Sequence, residues 1–100
     1  MKHIALVSAI GLALAACHHM SMEEGLSGYV GKPVNTAFGT LGYPSSEAKV
    51  PGGRKAYLWS KGEHDCTVRM VVDDKETVVA SDYQGSTHSC AAYLKAMRRG

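Results

Sequence analysis

Downstream of Ser21 the apolar residues recur first with a helical period, then with a period of two, then with a helical period again, which divides the chain into helices, strands and a last helix. Ser21-Met22-Glu23-Glu24 has the spacing of a capping box, and Leu26, Tyr29 and Val30 follow on one helical face, predicting a short first helix. Gly25 and Gly28 each weaken it by up to about 1 kcal/mol relative to alanine, so it needs tertiary support. Gly31 supplies a stop and Lys32-Pro33 a second start. Val34, Ala37, Phe38 and Leu41 then form one apolar stripe, closed by Gly42 and Pro44. Beyond Ser45 the pattern changes. Ser46 to Val50 could form a short edge strand, and Pro51-Gly52-Gly53 is a turn. Arg54 to Ser60 alternates, with Tyr57 and Trp59 on one side and Ala56 and Leu58 on the other. Cys66 to Val72 alternates again, Asp73-Asp74-Lys75-Glu76 turns the chain, and Thr77 to Tyr83 completes a meander. Ser86 to Arg99 opens on hydroxyl residues able to cap and places Cys90, Ala91, Leu94 and Met97 on one face of a helix of about ten residues. The expected fold is α+β: two short N-terminal helices, a three-stranded antiparallel sheet over Arg54 to Tyr83, and a C-terminal helix, in one small domain over residues 22–100.

The first part of the chain has neither period. After Lys2 and His3, an unbroken apolar and small-residue run from Ile4 to Ala16 is too short to cross a bilayer and reads as a signal segment over residues 1–16. It ends in Leu14-Ala15-Ala16-Cys17, which resembles the lipobox of bacterial lipoproteins. That resemblance implies a diacylglycerol, palmitate-type anchor on Cys17, cleavage before it, and a tether over residues 17–21. An ordinary secretory signal that contains a cysteine, or a buried helix, would share the run. By analogy with the same lipoproteins, His18 in place of an aspartate after the cysteine implies the outer membrane, on its periplasmic face.

Composition narrows the function classes. The formal net charge of +2 provides no basic field for nucleic acid, so no nucleic-acid partner is expected. Of the three cysteines, Cys66 and Cys90 remain once Cys17 is lipidated, and in an oxidising compartment a disulfide between them is expected. It would close a loop of about 25 residues and contribute roughly 3 kcal/mol through the unfolded state. Two His-x-Cys tripeptides, His64-Asp65-Cys66 and His88-Ser89-Cys90, leave open a zinc site or free thiols, but a two-residue offset is not the usual ligand spacing. His18 and His19 are read as tether. No cofactor or metal is expected, and no catalytic residue: the serines lie outside any nucleophile elbow, and Asp73, Asp74 and Glu76 lack the spacing of a calcium loop. Lys95, Arg98 and Arg99 complement a helix dipole or contact anionic lipid headgroups. Helices can cover one face of the sheet, which leaves Tyr57, Trp59 and Tyr83 as a candidate outward-facing partner surface.

The element order, together with Gly31-Lys32-Pro33-Val34, Leu41-Gly42-Tyr43-Pro44 and Tyr57-Leu58-Trp59, is similar to the SmpA/OmlA (BamE-like) small lipoproteins over roughly Leu26 to Tyr83. Cys66, Cys90 and the C-terminal helix fall outside that family's pattern. The helix-helix-sheet module also resembles β-lactamase-inhibitor-type repeats. The SmpA/OmlA resemblance implies a non-enzymatic outer-membrane lipoprotein that binds or scaffolds an envelope protein partner, in β-barrel assembly or envelope integrity. The alternative implied is a periplasmic inhibitor of a lysozyme or β-lactamase, acting through Lys61 to Asp65.

Overall fold

A computed structural model describes residues 20–60 and 65–99. The expected signal segment, Cys17, His18, His19 and His64 lie outside the described residues. The elements run α1 (Met22–Ser27), α2 (Asn35–Leu41), β1 (Ser46–Val50), β2 (Arg54–Ser60), β3 (Thr67–Val72), β4 (Val78–Gln84) and α3 (Ala91–Arg99). The class is α+β, with an antiparallel sheet in the order β1-β2-β3-β4. It has four strands where three were expected. Ser46–Val50 pairs along its whole length with β2, from Ser46↔Leu58 to Val50↔Arg54. The reason is the Pro51-Gly52-Gly53 turn: Gly52 and Gly53 take φ of 85° and 74°, a left-handed path that folds the strand straight back onto its neighbour.

Each helix boundary follows from local chemistry. The capping box at Ser21 forms in full, Ser21 Oγ accepting from Glu24 N at 3.1 Å and Glu24 Oε1 accepting from Ser21 N at 2.9 Å. α1 is shorter than the apolar spacing suggests. It ends at Ser27 because Gly28 and the following turns bend the chain, burying Tyr29 but leaving Val30 46% exposed. Pro33 precedes α2 instead of starting it: the segment around it pairs with the start of β4, Gly31 N donating to Val78 O, Val78 N to Lys32 O and Val34 N to Glu76 O. That pairing covers part of the β4 edge, which would otherwise offer free backbone groups. In α3, Leu94 and Met97 are buried as expected, with Cys90 just ahead of them, but Tyr93 takes the fourth place on the apolar face and Ala91 is exposed.

The helices all lie on one side of the sheet. The core combines Met22, Leu26 and Tyr29, Val34 and Ala37, the strand residues Tyr57, Trp59, Val68, Met70, Val72 and Val78, and Tyr93, Leu94 and Met97. Register explains the strand set: Tyr57↔Met70 and Trp59↔Val68 are direct cross-strand partners, so their side chains share a face. A shift of register between Val71 and Val72 near the β3-β4 turn brings Val78 into the same core.

Candidate functional site

Cys66 and Cys90 are bonded, with S–S 2.10 Å and Cα atoms 5.2 Å apart. Cys66 sits just ahead of β3 and Cys90 just ahead of α3, so the bridge ties the sheet to the last helix. Both sulfurs are fully buried. The approach is made possible by Gly85, at φ 137°, where any Cβ would collide with the carbonyl oxygen of Asp65 and crowd Cys90 Sγ. Ser86 and Ser89 bond one another's backbone N–H groups in the turn before α3, and Ser89 Oγ also donates to Asp65 O at 3.1 Å. The pair is thus held by a loop built around it.

The expected aromatic surface does not form. Tyr57 and Trp59 are 6% and 2% exposed, and both face the helices, because theirs is the side of the sheet that α1, α2 and α3 cover. Their polar atoms are satisfied inside: Trp59 Nε1 donates to Gly42 O at 2.7 Å, and Tyr57 OH donates to Glu76 Oε1 at 2.6 Å. Phe38 meets the Tyr57 ring edge-on with centroids 5.3 Å apart, which docks α2. Tyr83 is half-buried, packs against the core and donates to Glu23 Oε2 at 3.0 Å.

Around Tyr57 stands a cluster of charged and polar side chains. Lys55 Nζ lies 3.0 Å from Glu76 Oε2 and 4.9 Å from the centroid of the Tyr57 ring, with Glu47 3.9 Å away. The Tyr57 hydroxyl and Glu76 hold the Lys55 ammonium above its ordinary range, and the hydrogen bonds from Tyr57 and Lys55 pull the Glu76 carboxyl below its own. Burial, then the Glu76 bond, raises the Tyr57 hydroxyl. All three shifts reinforce the charge states these groups already have near neutrality, so the cluster works as a clamp. It is a strained one: Glu76 has φ of 63°, the left-handed region, at the end of the β3-β4 turn that Asp73 Oδ1 organises by accepting from Lys75 N and Thr77 N.

The opposite face of the sheet carries no helix. It presents Ala48, Val50, Ala56, Leu58, Thr67, Arg69, Val71, Ala80, Asp82 and Gln84, all small or half-exposed, as register and alternation require. Arg69 and Asp82 pair across β3 and β4 in a forked contact, Nε to Oδ1 at 3.1 Å and Nη2 to Oδ2 at 2.6 Å. Together with Leu58, Thr67 and Gln84 they line a shallow depression of about 460 Å³. This surface was missed in the sequence, although Leu58 and Val71, out of phase with the aromatic set, were the available signal. No group of three or more metal-ligating side chains occurs among the described residues, and Cys66 and Cys90 are engaged with each other. Of the candidate inhibitory loop Lys61 to Asp65, only Asp65 is described, its carbonyl held by Ser89. Comparison of the chain with protein-family models, with curated proteins and with solved structures gives no match.

Proposed function

We propose that the chain is a non-enzymatic outer-membrane lipoprotein, anchored through Cys17 on the periplasmic face, whose domain binds or scaffolds an envelope protein through the helix-free side of its sheet. The observation that carries this reading is the buried Cys66–Cys90 bridge in a chain whose third cysteine directly follows Ala15-Ala16. A structural disulfide belongs to an oxidising compartment, and a lipobox is a route to one. The binding role is supported by the composition of the open face. Half-exposed Leu58 and Val71 flank a charged pair, giving an apolar patch with a polar marker that a partner can read. The resemblance to SmpA/OmlA lipoproteins supports a place in β-barrel assembly or envelope integrity.

The test combines mass spectrometry with crosslinking in native membranes. The mature protein is expected to carry an acyl mass on Cys17, and Cys17→Ala to leave the membrane fraction. A photo-crosslinking residue in place of Leu58 or Val71 is expected to capture one envelope protein, while the same residue in place of exposed Tyr43 captures none. Recovery of no envelope protein from either open-face position overturns the binding role.

A further inference from the structure

The described chain begins at Met20, and where it begins decides which side of the domain an anchor on Cys17 would hold against a bilayer. Met20 and Met97 meet over Gly25: a Cβ built there would stand 3.0 Å from Met97 Sδ and Cε and 3.3 Å from Met20 Sδ. Met20 also shares a groove with Leu94 and Arg98, and a second with Met97 and Lys32. Three peptide units separate Cys17 from Met20, a reach of at most about 10 Å. That is close to one screening length at physiological salt, so charges at this end would feel a headgroup layer.

The charges there are mostly positive. Lys95, Arg98 and Arg99 are exposed on α3 and make no ion pair among the described residues; Arg98 and exposed Lys32 each share a groove with Met20, and Lys95 and Arg99 extend the charge along the same helix. Glu23 and Glu24 are the nearby carboxylates, and both are engaged, Glu23 accepting from Tyr83 OH and Glu24 closing the capping box. Four cations against two occupied carboxylates leave a net positive end. Within the sheet, β1 is three inter-strand spacings, or about 14 Å, from β4, the strand that α1 packs against.

We propose that the α3 end of the molecule is a membrane-docking surface for anionic phospholipid headgroups, contacted by Lys95, Arg98, Arg99 and Lys32. The helix layer then faces the bilayer, the helix-free side of the sheet is turned away from it, and β1 is the strand farthest from β4 along the sheet. This rests on the anchoring of Cys17 proposed above, and the experiment separates the two.

Lysines already present report the orientation. Full-length acylated protein is placed in vesicles of phosphatidylethanolamine and phosphatidylglycerol, or of phosphatidylcholine alone, and treated with a water-soluble acetylating reagent. Site-by-site mass spectrometry then follows Lys95 and Lys49, the latter exposed on β1. Acetylation of Lys95 is expected to slow by about threefold or more on the anionic vesicles, with Lys49 equal on both and the difference lost in about 0.5 M salt. Arg98→Gln with Arg99→Gln is expected to remove the slowing while the acyl mass and the unfolding temperature stay as in the parent. Equal acetylation rates for Lys95 and Lys49 on anionic vesicles, with Cys17 acylated, overturn the docking surface alone. Absence of the acyl mass overturns the anchor, and the docking surface with it.

Discussion

The two faces of the sheet come from the same four strands, and adjacent residues along β2 have opposite fates. Trp59 is 2% exposed beneath α2 and makes a hydrogen bond to Gly42, while its neighbour Leu58 lies half-exposed on the open side. The covered face takes the large rings of Tyr57 and Trp59 with Met70 between valines, since bulky side chains fill the space between a sheet and helices about 10 Å above it. The open face takes small residues, a few half-exposed aliphatic ones and one ion pair. The contrast teaches that an aromatic on an alternating strand marks where the layer above it must be thick. Solvent meets the side whose residues are modest in size.

Truncation is the most direct way to break this contrast. Trp59→Ala is expected to cost about 4 kcal/mol and Leu58→Ala less than about 1, measured by urea unfolding. Similar losses at the two positions would mean that the open face is buried by something in solution. The bridge comes next: Cys66→Ala with Cys90→Ala is expected to lower stability by about 3 kcal/mol, because the unfolded chain regains the freedom of the closed loop. The covered face's polar rim comes third. Tyr57→Phe removes a single short hydrogen bond and is expected to cost about 1 kcal/mol.

The same clamp predicts a pH dependence. Glu76 is held below its ordinary value of 4.5 by Tyr57 and Lys55, and Asp73 below 3.8 by the N–H groups of Thr77 and Lys75. A carboxyl depressed in the folded state stabilises it fully above the unfolded value, and that contribution is lost as pH falls through the folded one. Melting temperature is therefore expected to fall as pH drops below about 4.5, less steeply in Glu76→Gln; identical acid limbs would show that the clamp contributes nothing. Smallest of all is the open face's ion pair. With both side chains about half exposed, Arg69→Gln or Asp82→Asn is expected to cost no more than about 0.5 kcal/mol, while weakening capture of a partner if that face binds one.

Much of the architecture was legible before any coordinates. The Ser21 capping box, the stripe from Val34 to Leu41, the hairpin turn at Asp73 to Glu76 and the last helix are all local patterns, and each formed where its residues place it. The pairing of Cys66 with Cys90 was also readable, by counting. Other features were not. Ser46 to Val50 was legible as a short edge strand, but not as the fourth member of the sheet, because an edge strand with one open side has little to bury and no apolar period ties it to β2. Glu76 took a left-handed turn position that composition assigns to glycine, and its partners Tyr57 and Lys55 lie 19 and 21 positions away. The apolar face of α3 includes Tyr93 in place of Ala91, the large ring taking the space beside Leu94 and Met97 that a methyl group cannot fill.

By itself the sequence determined the class of fold, the location of most elements and the cysteine pairing. Those are properties of neighbouring residues, where period, caps and turns act within a few positions. Only the tertiary structure decided which side of the sheet is covered, and so which residues are free to meet a partner. Alternation separates two faces but is symmetric between them. The symmetry is broken by helices that arrive from far along the chain, and by where Met20 comes to rest beside Met97.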